Sequence, residues 1–144
     1  MITTTKRSLL EVFLSAAMGL AVIVVPVALD SHARQYDAAF LPLIRNGVEG
    51  MKVYSLLFLV LVGCLIGYFG KGSVWFVGPA VLAFFPIWSI IDMVMGGDHN
   101  LFPIEWLFYA LESIPGLVGA VIGRAIKRKI DTYFAASSKR VIDS

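Results

Sequence analysis

The sequence predicts an all-α integral membrane protein: one domain over residues 1–144, with four transmembrane helices in an up-down antiparallel bundle and a short amphipathic C-terminal helix. Hydrophobic residues make up 58% of the chain and charged residues only 15%, whereas globular domains have roughly a quarter charged. The apolar residues are concentrated in four runs, and each run approaches the length that crosses a hydrocarbon core of about 30 Å. Short connections between the runs favour up-down topology. The predicted spans are about residues 9–29, 53–70, 74–95 and 101–123.

The first apolar run, residues 9–29, follows the basic residues Lys6 and Arg7. A basic start before an apolar stretch also occurs in secretory signal peptides, but this stretch is longer than a usual signal core. We therefore expect a retained first span. The connection at residues 30–52 is the one sizeable extramembrane segment. Its apolar piece at residues 40–44 is expected to cap the bundle as part of the loop, and the alternative is that it lies on the membrane surface.

Small residues recur at helical spacing in the second and fourth runs. Gly63 and Gly67 stand four residues apart, and Gly116, Gly119 and Gly123 fall on one stripe of a helix. Small residues let transmembrane helices approach closely, so these five glycines are predicted to be helix-packing positions. The pattern fits packing within this chain as well as packing between chains.

The third run, residues 74–95, is predicted to cross the membrane although it contains Pro79 and Pro86. The three-residue link at 71–73 leaves room only for a reversal, so the second and third spans should be antiparallel. Asp92 lies near the end of the third run, on the same stripe as Gly78 and Ser89. Charge and small residues are therefore expected on a face that points at protein.

The distribution of basic residues predicts the orientation. The N-terminus, the 71–73 link and the C-terminal tail hold nine of the twelve Lys and Arg residues, so both termini should face the cytoplasm of a plasma or inner membrane. After residue 123, apolar and basic residues alternate at helical spacing, which predicts an amphipathic helix at about residues 124–136 on the lipid surface. The predicted contacts with lipid headgroups are Arg124, Lys127, Arg128 and Lys129.

Three acidic residues form the candidate intramembrane polar site: Glu112, Glu105 and Asp92. Ionisable groups within a bilayer are costly and are a default indication of function. One interpretation is a proton or cation pathway, with Glu112 as the central site and the other two acids as an outer relay. The other is structural, with Glu112 hydrogen-bonded to a neighbouring helix. Asp98 and His99 match no standard ligand spacing, so no metal or cofactor is predicted.

The chain lacks a complete catalytic motif: it has no phosphate-binding loop, and its single cysteine, Cys64, sits in an apolar run. We therefore expect a non-enzymatic accessory or assembly subunit that packs against other membrane proteins or forms a homo-oligomer in the lipid bilayer. The alternative is a small proton- or cation-coupled transporter or channel that uses Glu112. Nucleic-acid binding is not expected, because the basic residues adjoin the membrane and lack interleaved stacking aromatics.

Overall fold

The computed structural model describes residues 2–30, 32, 37–97 and 103–142. These residues form α-helices and one short 3-10 helix, with no strand among them, which confirms the all-α class. The helices are α1 (Ile2–Leu29), α2 (Pro42–Glu49), α3 (Val53–Phe69), α4 (Val74–Val77), the 3-10 helix (Pro79–Leu82), α5 (Phe84–Val94), α6 (Ile104–Glu112) and α7 (Ile114–Ile142).

Two segments are long and apolar enough to cross a bilayer: Ser8–Leu29 and Ile104–Ala135. Two further pairs of helical segments pass the same test jointly but are bent, by 102° between α2 and α3 and by 43° between Val74–Leu82, which combines α4 with the 3-10 helix, and α5. Helix α3 alone has 17 residues, which is about 25 Å of helix. The protein thus has two to four candidate spans and is compatible with a membrane location.

Helix α1 packs against the third apolar segment. The Ser15 hydroxyl donates to the carbonyl oxygen of Val77 at 2.7 Å, and one turn later Gly19 lies directly against the backbone of Val81. Residue numbers rise together along both segments, so the two run parallel. Helix α3 runs antiparallel to α1, because the end of α3 lies beside Glu11 near the start of α1.

The third apolar segment is interrupted where Gly78 and Pro79 end α4. Proline has no backbone N–H to continue the α-helical ladder, and the chain passes through the 3-10 helix before α5 begins. Gly78 also lies so close to the Leu117 backbone of α7 that a Cβ there would sit 2.7 Å from the Leu117 Cα. The change from α-helix to 3-10 helix therefore coincides with a proline and with a close helix approach.

Helix α2 is the apolar piece of the first connection. Pro42 occupies its first turn, where the missing N–H is not needed, and the buried Gly47 rests on Val24 of α1. The 102° bend at residues 50–52 turns α2 across the direction of α3. The segment predicted as a loop is thus a short helix that covers the end of α1.

The fourth apolar segment is divided by Ser113 into α6 and α7. Helix α7 then continues to Ile142, so the tail at residues 124–136 is an extension of the spanning helix, which corrects the prediction of a separate C-terminal helix. No glycine or proline occurs after Gly123 to end the helix, and the Ala, Lys and Arg residues there are strong helix formers.

The core lies where α1, α3, the 3-10 helix, α5 and α6 meet. Its buried apolar side chains are Ile23, Leu59, Val62, Val81, Leu82, Phe85 and Tyr109. Many other large apolar side chains of the same helices are exposed, among them Phe13, Leu57 and Leu61 at 59%, 63% and 57%. An apolar exterior around a small apolar core is expected of a protein whose solvent is lipid.

Candidate functional site

The glycines of α3 and α7 face each other in a parallel helix pair. A Cβ on Gly63 would overlap the carbonyl oxygen of Gly116 and lie 2.9 Å from its carbonyl carbon, and a Cβ on Gly67 would overlap Ala120 in the same way. A Cβ on Gly119 would overlap the Val60 carbonyl oxygen. Backbone thus touches backbone, and only glycine allows this approach.

The remaining glycines of the predicted set complete the same contact. A Cβ on Gly123 would overlap the Cys64 carbonyl oxygen, and one on Gly116 would meet the side chain of Val81 and lie 2.9 Å from the Gly78 carbonyl oxygen. All five glycines are therefore used for packing inside this chain. Their small-residue faces are already occupied and do not require another protein.

A polar cluster joins three helices at the end of the molecule that carries residues 70–73, here called the link end. The Glu11 carboxylate accepts from the Lys71 N–H at 3.1 Å and from the Gly72 N–H at 2.6 Å. Arg124 donates from Nε to the Gly67 carbonyl at 3.1 Å and from Nη2 to the Gly72 carbonyl at 2.7 Å. Glu11 of α1 therefore binds two N–H groups of the link, and Arg124 of α7 binds one of its carbonyl groups.

Sequence reasoning missed this cluster. Glu11 and Lys71 lie 60 residues apart, and no local pattern indicates their pairing. The available signal was a glutamate and an arginine at the same predicted membrane edge as a short link whose backbone groups need partners. Arg124 has protein partners, while contact of Arg124, Lys127, Arg128 and Lys129 with lipid headgroups stays a prediction.

Past Arg124, the extension of α7 carries apolar and basic side chains on its surface. Ile126, Ile130, Tyr133 and Phe134 are 43%, 36%, 72% and 67% exposed. Arg128 and Lys129 are exposed between them. Residues 128–135 of the extension are all exposed, so no other helix in the described part of the chain covers them.

Asp92 belongs to a different contact, at the opposite end of the molecule. Its side chain is fully buried and accepts a hydrogen bond from the backbone N–H of Phe40, and the Trp88 Nε1–H donates to the carbonyl of Phe40 at 2.6 Å. Helix α5 thus holds Phe40, a residue of the first connection, by both its N–H and its carbonyl group. Asp92 therefore fixes this connection, and its role in an outer relay to Glu112 stays a prediction.

Glu105 is engaged within α6, where its carboxylate accepts from the hydroxyl of Tyr109 one turn later. The Tyr109 ring is buried and lies 6.0 Å from the ring of Phe85, centroid to centroid. The predicted acid Glu105 therefore has a partner in Tyr109, which sequence reasoning did not single out.

Glu112 is half-buried at the end of α6. It lies about 12 Å along the helix from Ile104 and about 18 Å from Arg124, which is near the middle of the span predicted at residues 101–123, although the candidate span in the structure continues to Ala135. Among the described residues it has no hydrogen-bond or ion-pair partner. Ser55 on α3 is also without one, since its buried hydroxyl bonds to no other described group. Both groups lie in the half of the molecule opposite the link end.

The described residues contain no group of three His, Cys, Asp or Glu side chains that is able to hold a metal ion. Asp98 and His99 lie outside the described residues. Neither family models, nor curated proteins, nor solved structures yield a match to this chain. Any function must therefore be argued from the geometry alone.

Proposed function

We propose that this protein is a non-enzymatic accessory or assembly subunit of a membrane complex, built as an up-down bundle of four spans with both termini in the cytoplasm. The directions of the contacts support this topology: α1 parallels the third segment, and α3 parallels α7. The basic residues of the link end and of the α7 extension support the orientation.

The observation that carries the proposal is the extension of α7. About 27 Å of helix continues from Arg124 to Ile142, and the four apolar side chains Ile126, Ile130, Tyr133 and Phe134 stay exposed beside basic residues. A helix continuous with the span cannot turn to lie flat on the lipid, so its outer part leaves the bilayer. An apolar stripe exposed to water is typical of a protein-docking surface.

The positive charge of the α7 extension indicates what kind of partner binds this surface. The extension after residue 123 holds six of the twelve Lys and Arg residues, against the acids Asp131 and Asp143. Two copies side by side would bring these like charges together, which disfavours a homodimer through the extension. The partner is therefore a protein with an acidic surface, and its apolar groove receives the α7 stripe.

The test is recovery of the complex from native membranes in mild detergent. The full chain should co-purify with a stable set of membrane or membrane-associated proteins. The double variant Tyr133→Ser and Phe134→Ser should lose them while it still inserts, because these two side chains lie outside the bundle. A matched control is Phe69→Ser, a substitution of an equally exposed aromatic residue at 69%. Recovery of the full chain as a lone monomer would refute the proposal.

A second candidate function is a proton- or cation-coupled transporter or channel, and the position of Glu112 favours it. A half-buried carboxyl near the middle of a span, with no partner among the described residues, is the kind of group that carries protons or cations across membranes. The test is flux in reconstituted vesicles, which Glu112→Gln should abolish without loss of folding. Equal flux in parent and variant would count against this candidate.

A further inference from the structure

We propose that Glu112 is a pairing site for a basic side chain in a transmembrane helix of a different membrane protein. This inference rests on the proposed function and names the chemistry of the partner inside the bilayer. The docking surface of the α7 extension lies outside the bilayer, so the two sites are separate.

The need for a partner follows from the depth of Glu112. Its carboxyl lies near the middle of the predicted span 101–123, where an unpaired charge is strongly disfavoured and where acids pair with bases or with polar groups of neighbouring helices. The Asp92 carboxylate has a partner because it accepts a hydrogen bond from the Phe40 N–H, and the Glu105 carboxylate accepts one from the Tyr109 hydroxyl. Glu112 has no such bond to any residue in the described ranges.

The sequence of this protein places no base within its predicted spans. None of its twelve Lys and Arg residues, and neither His32 nor His99, lies within the apolar runs 9–29, 53–70, 74–95 and 101–123. A second copy has the same sequence and likewise offers no base within its predicted spans. Charge complementarity therefore requires a different protein, with Lys, Arg or His inside a spanning segment.

Glu112 lies on a side of the molecule that a foreign helix can reach. Helix α6 packs on the 3-10 helix, α5 and α7, and its only buried side chain is Tyr109. Phe108 lies one turn before Glu112 on the same helix and Leu111 directly precedes it, and each is 51% exposed. These apolar side chains supply the packing surface that surrounds a central charge pair in a transmembrane helix contact.

The experiment compares complexes recovered from native membranes with the parent chain, Glu112→Gln and Glu105→Gln. The amide of Glu112→Gln keeps the size of the side chain and removes its charge. Loss of one member of a buried charge pair weakens association by about 30-fold or more, so partner recovered per mole of variant should fall accordingly. Glu105→Gln loses the same charge on the same helix but keeps an oxygen for Tyr109, and recovery should match the parent.

A second measurement does not depend on the fold of a variant. A photo-crosslinking residue at Leu111 in the otherwise unchanged chain should label a partner whose spanning segment contains Lys, Arg or His. The same residue at Leu65, which is 49% exposed on α3, is the matched control and should not label it. Substitution of that partner's base by Gln should then reduce recovery as much as Glu112→Gln does.

The outcomes separate the two proposals. If the parent chain is recovered alone, the accessory-subunit function fails and the pairing site fails with it. If the parent recovers partners and Glu112→Gln recovers them equally, or if no crosslinked partner has a base within a span, only the pairing site is overturned. Proton or cation flux through the isolated parent chain that Glu112→Gln abolishes would also overturn it and assign Glu112 to transport.

Discussion

Replacing Gly63 by alanine tests whether the backbone contact between α3 and α7 holds the molecule together. The added methyl would overlap the Gly116 carbonyl oxygen and sit 2.9 Å from its carbonyl carbon and 3.1 Å from the Ala120 nitrogen. Carbon atoms pack best at about 3.5–4.0 Å. The two helices must therefore separate locally, and no side chain is available to move instead, because all three atoms belong to the backbone.

The expected cost is large for one methyl group. Overpacking in a well-packed interior costs about 1–3 kcal/mol, and a clash with rigid backbone belongs at the upper end. Alanine recovers up to about 1 kcal/mol of helix propensity, which leaves a net loss of about 2 kcal/mol. Gly47→Ala is the matched control, because its methyl would first meet a Val24 side-chain atom at 3.0 Å, and its net effect should be within about 0.5 kcal/mol of zero.

The assay is reversible unfolding in mixed micelles with a rising fraction of SDS, followed by tryptophan fluorescence and helical circular dichroism. Gly63→Ala should unfold at a lower SDS fraction than either the parent or Gly47→Ala. A variant at Gly63 that matches the parent within about 0.5 kcal/mol would show that the two helices are not in backbone contact, and the reasoning would be refuted.

Three further predictions concern polar contacts. Arg124→Ala removes two hydrogen bonds from a charged donor and should lower the free energy of unfolding by about 1.5–3 kcal/mol in the same assay. Asp92→Ala leaves the Phe40 N–H without its acceptor and should speed hydrogen exchange at that amide. Hydrogen bonds from the Lys52 side chain and the His32 N–H hold the pKa of Asp30 below its usual value; the stability they add is present above the unfolded pKa of about 3.9 and is lost as pH falls through the folded pKa.

Each of these predictions has its own control. Lys129→Ala changes an exposed cation of the same helix as Arg124, and equal destabilisation by both would contradict the role of the Arg124 bonds. Exchange at Val62, in the middle of α3, should not respond to Asp92→Ala, and unchanged exchange at Phe40 would show that the contact is absent. The free energy of unfolding of Lys52→Ala should differ from that of the parent near neutral pH and converge with it in acid. A difference that persists unchanged at low pH would show that it does not arise from the Asp30 carboxylate.

The sequence predicts regular apolar helices well because their signal is local. The second run was expected at residues 53–70, and α3 spans Val53–Phe69. Hydropathy and length suffice there, because an isolated helix already satisfies its backbone in lipid. The same local signal overlooked α2, whose eight residues are too few for a span and whose position depends on Gly47 meeting α1.

The third segment and the polar contacts depend on tertiary structure. Proline in the third run predicts a disturbance, but it does not predict the 43° bend before Phe84 or the close approach of Gly78 to α7. Arg124 was predicted to contact lipid headgroups, but the bonds that Glu11 and Arg124 make to the link join residues more than 50 positions apart and have no local signal. Composition indicates that a buried Asp92 needs a partner, but it does not identify the backbone of Phe40 as that partner.

The parallel contact of α3 with α7 also bears on how the chain is made. Ribosomes add about 5–20 residues per second, so α3, complete at Phe69, waits roughly 3–10 s until Gly123 has been synthesised. During that interval the glycine groove of α3, formed at Gly63 and Gly67, is open in the bilayer to any helix with a small-residue face. The native partner of this groove, α7, has one advantage over such helices. Arg124 directly follows Gly123 and stabilises the contact by donating hydrogen bonds to the Gly67 and Gly72 carbonyls.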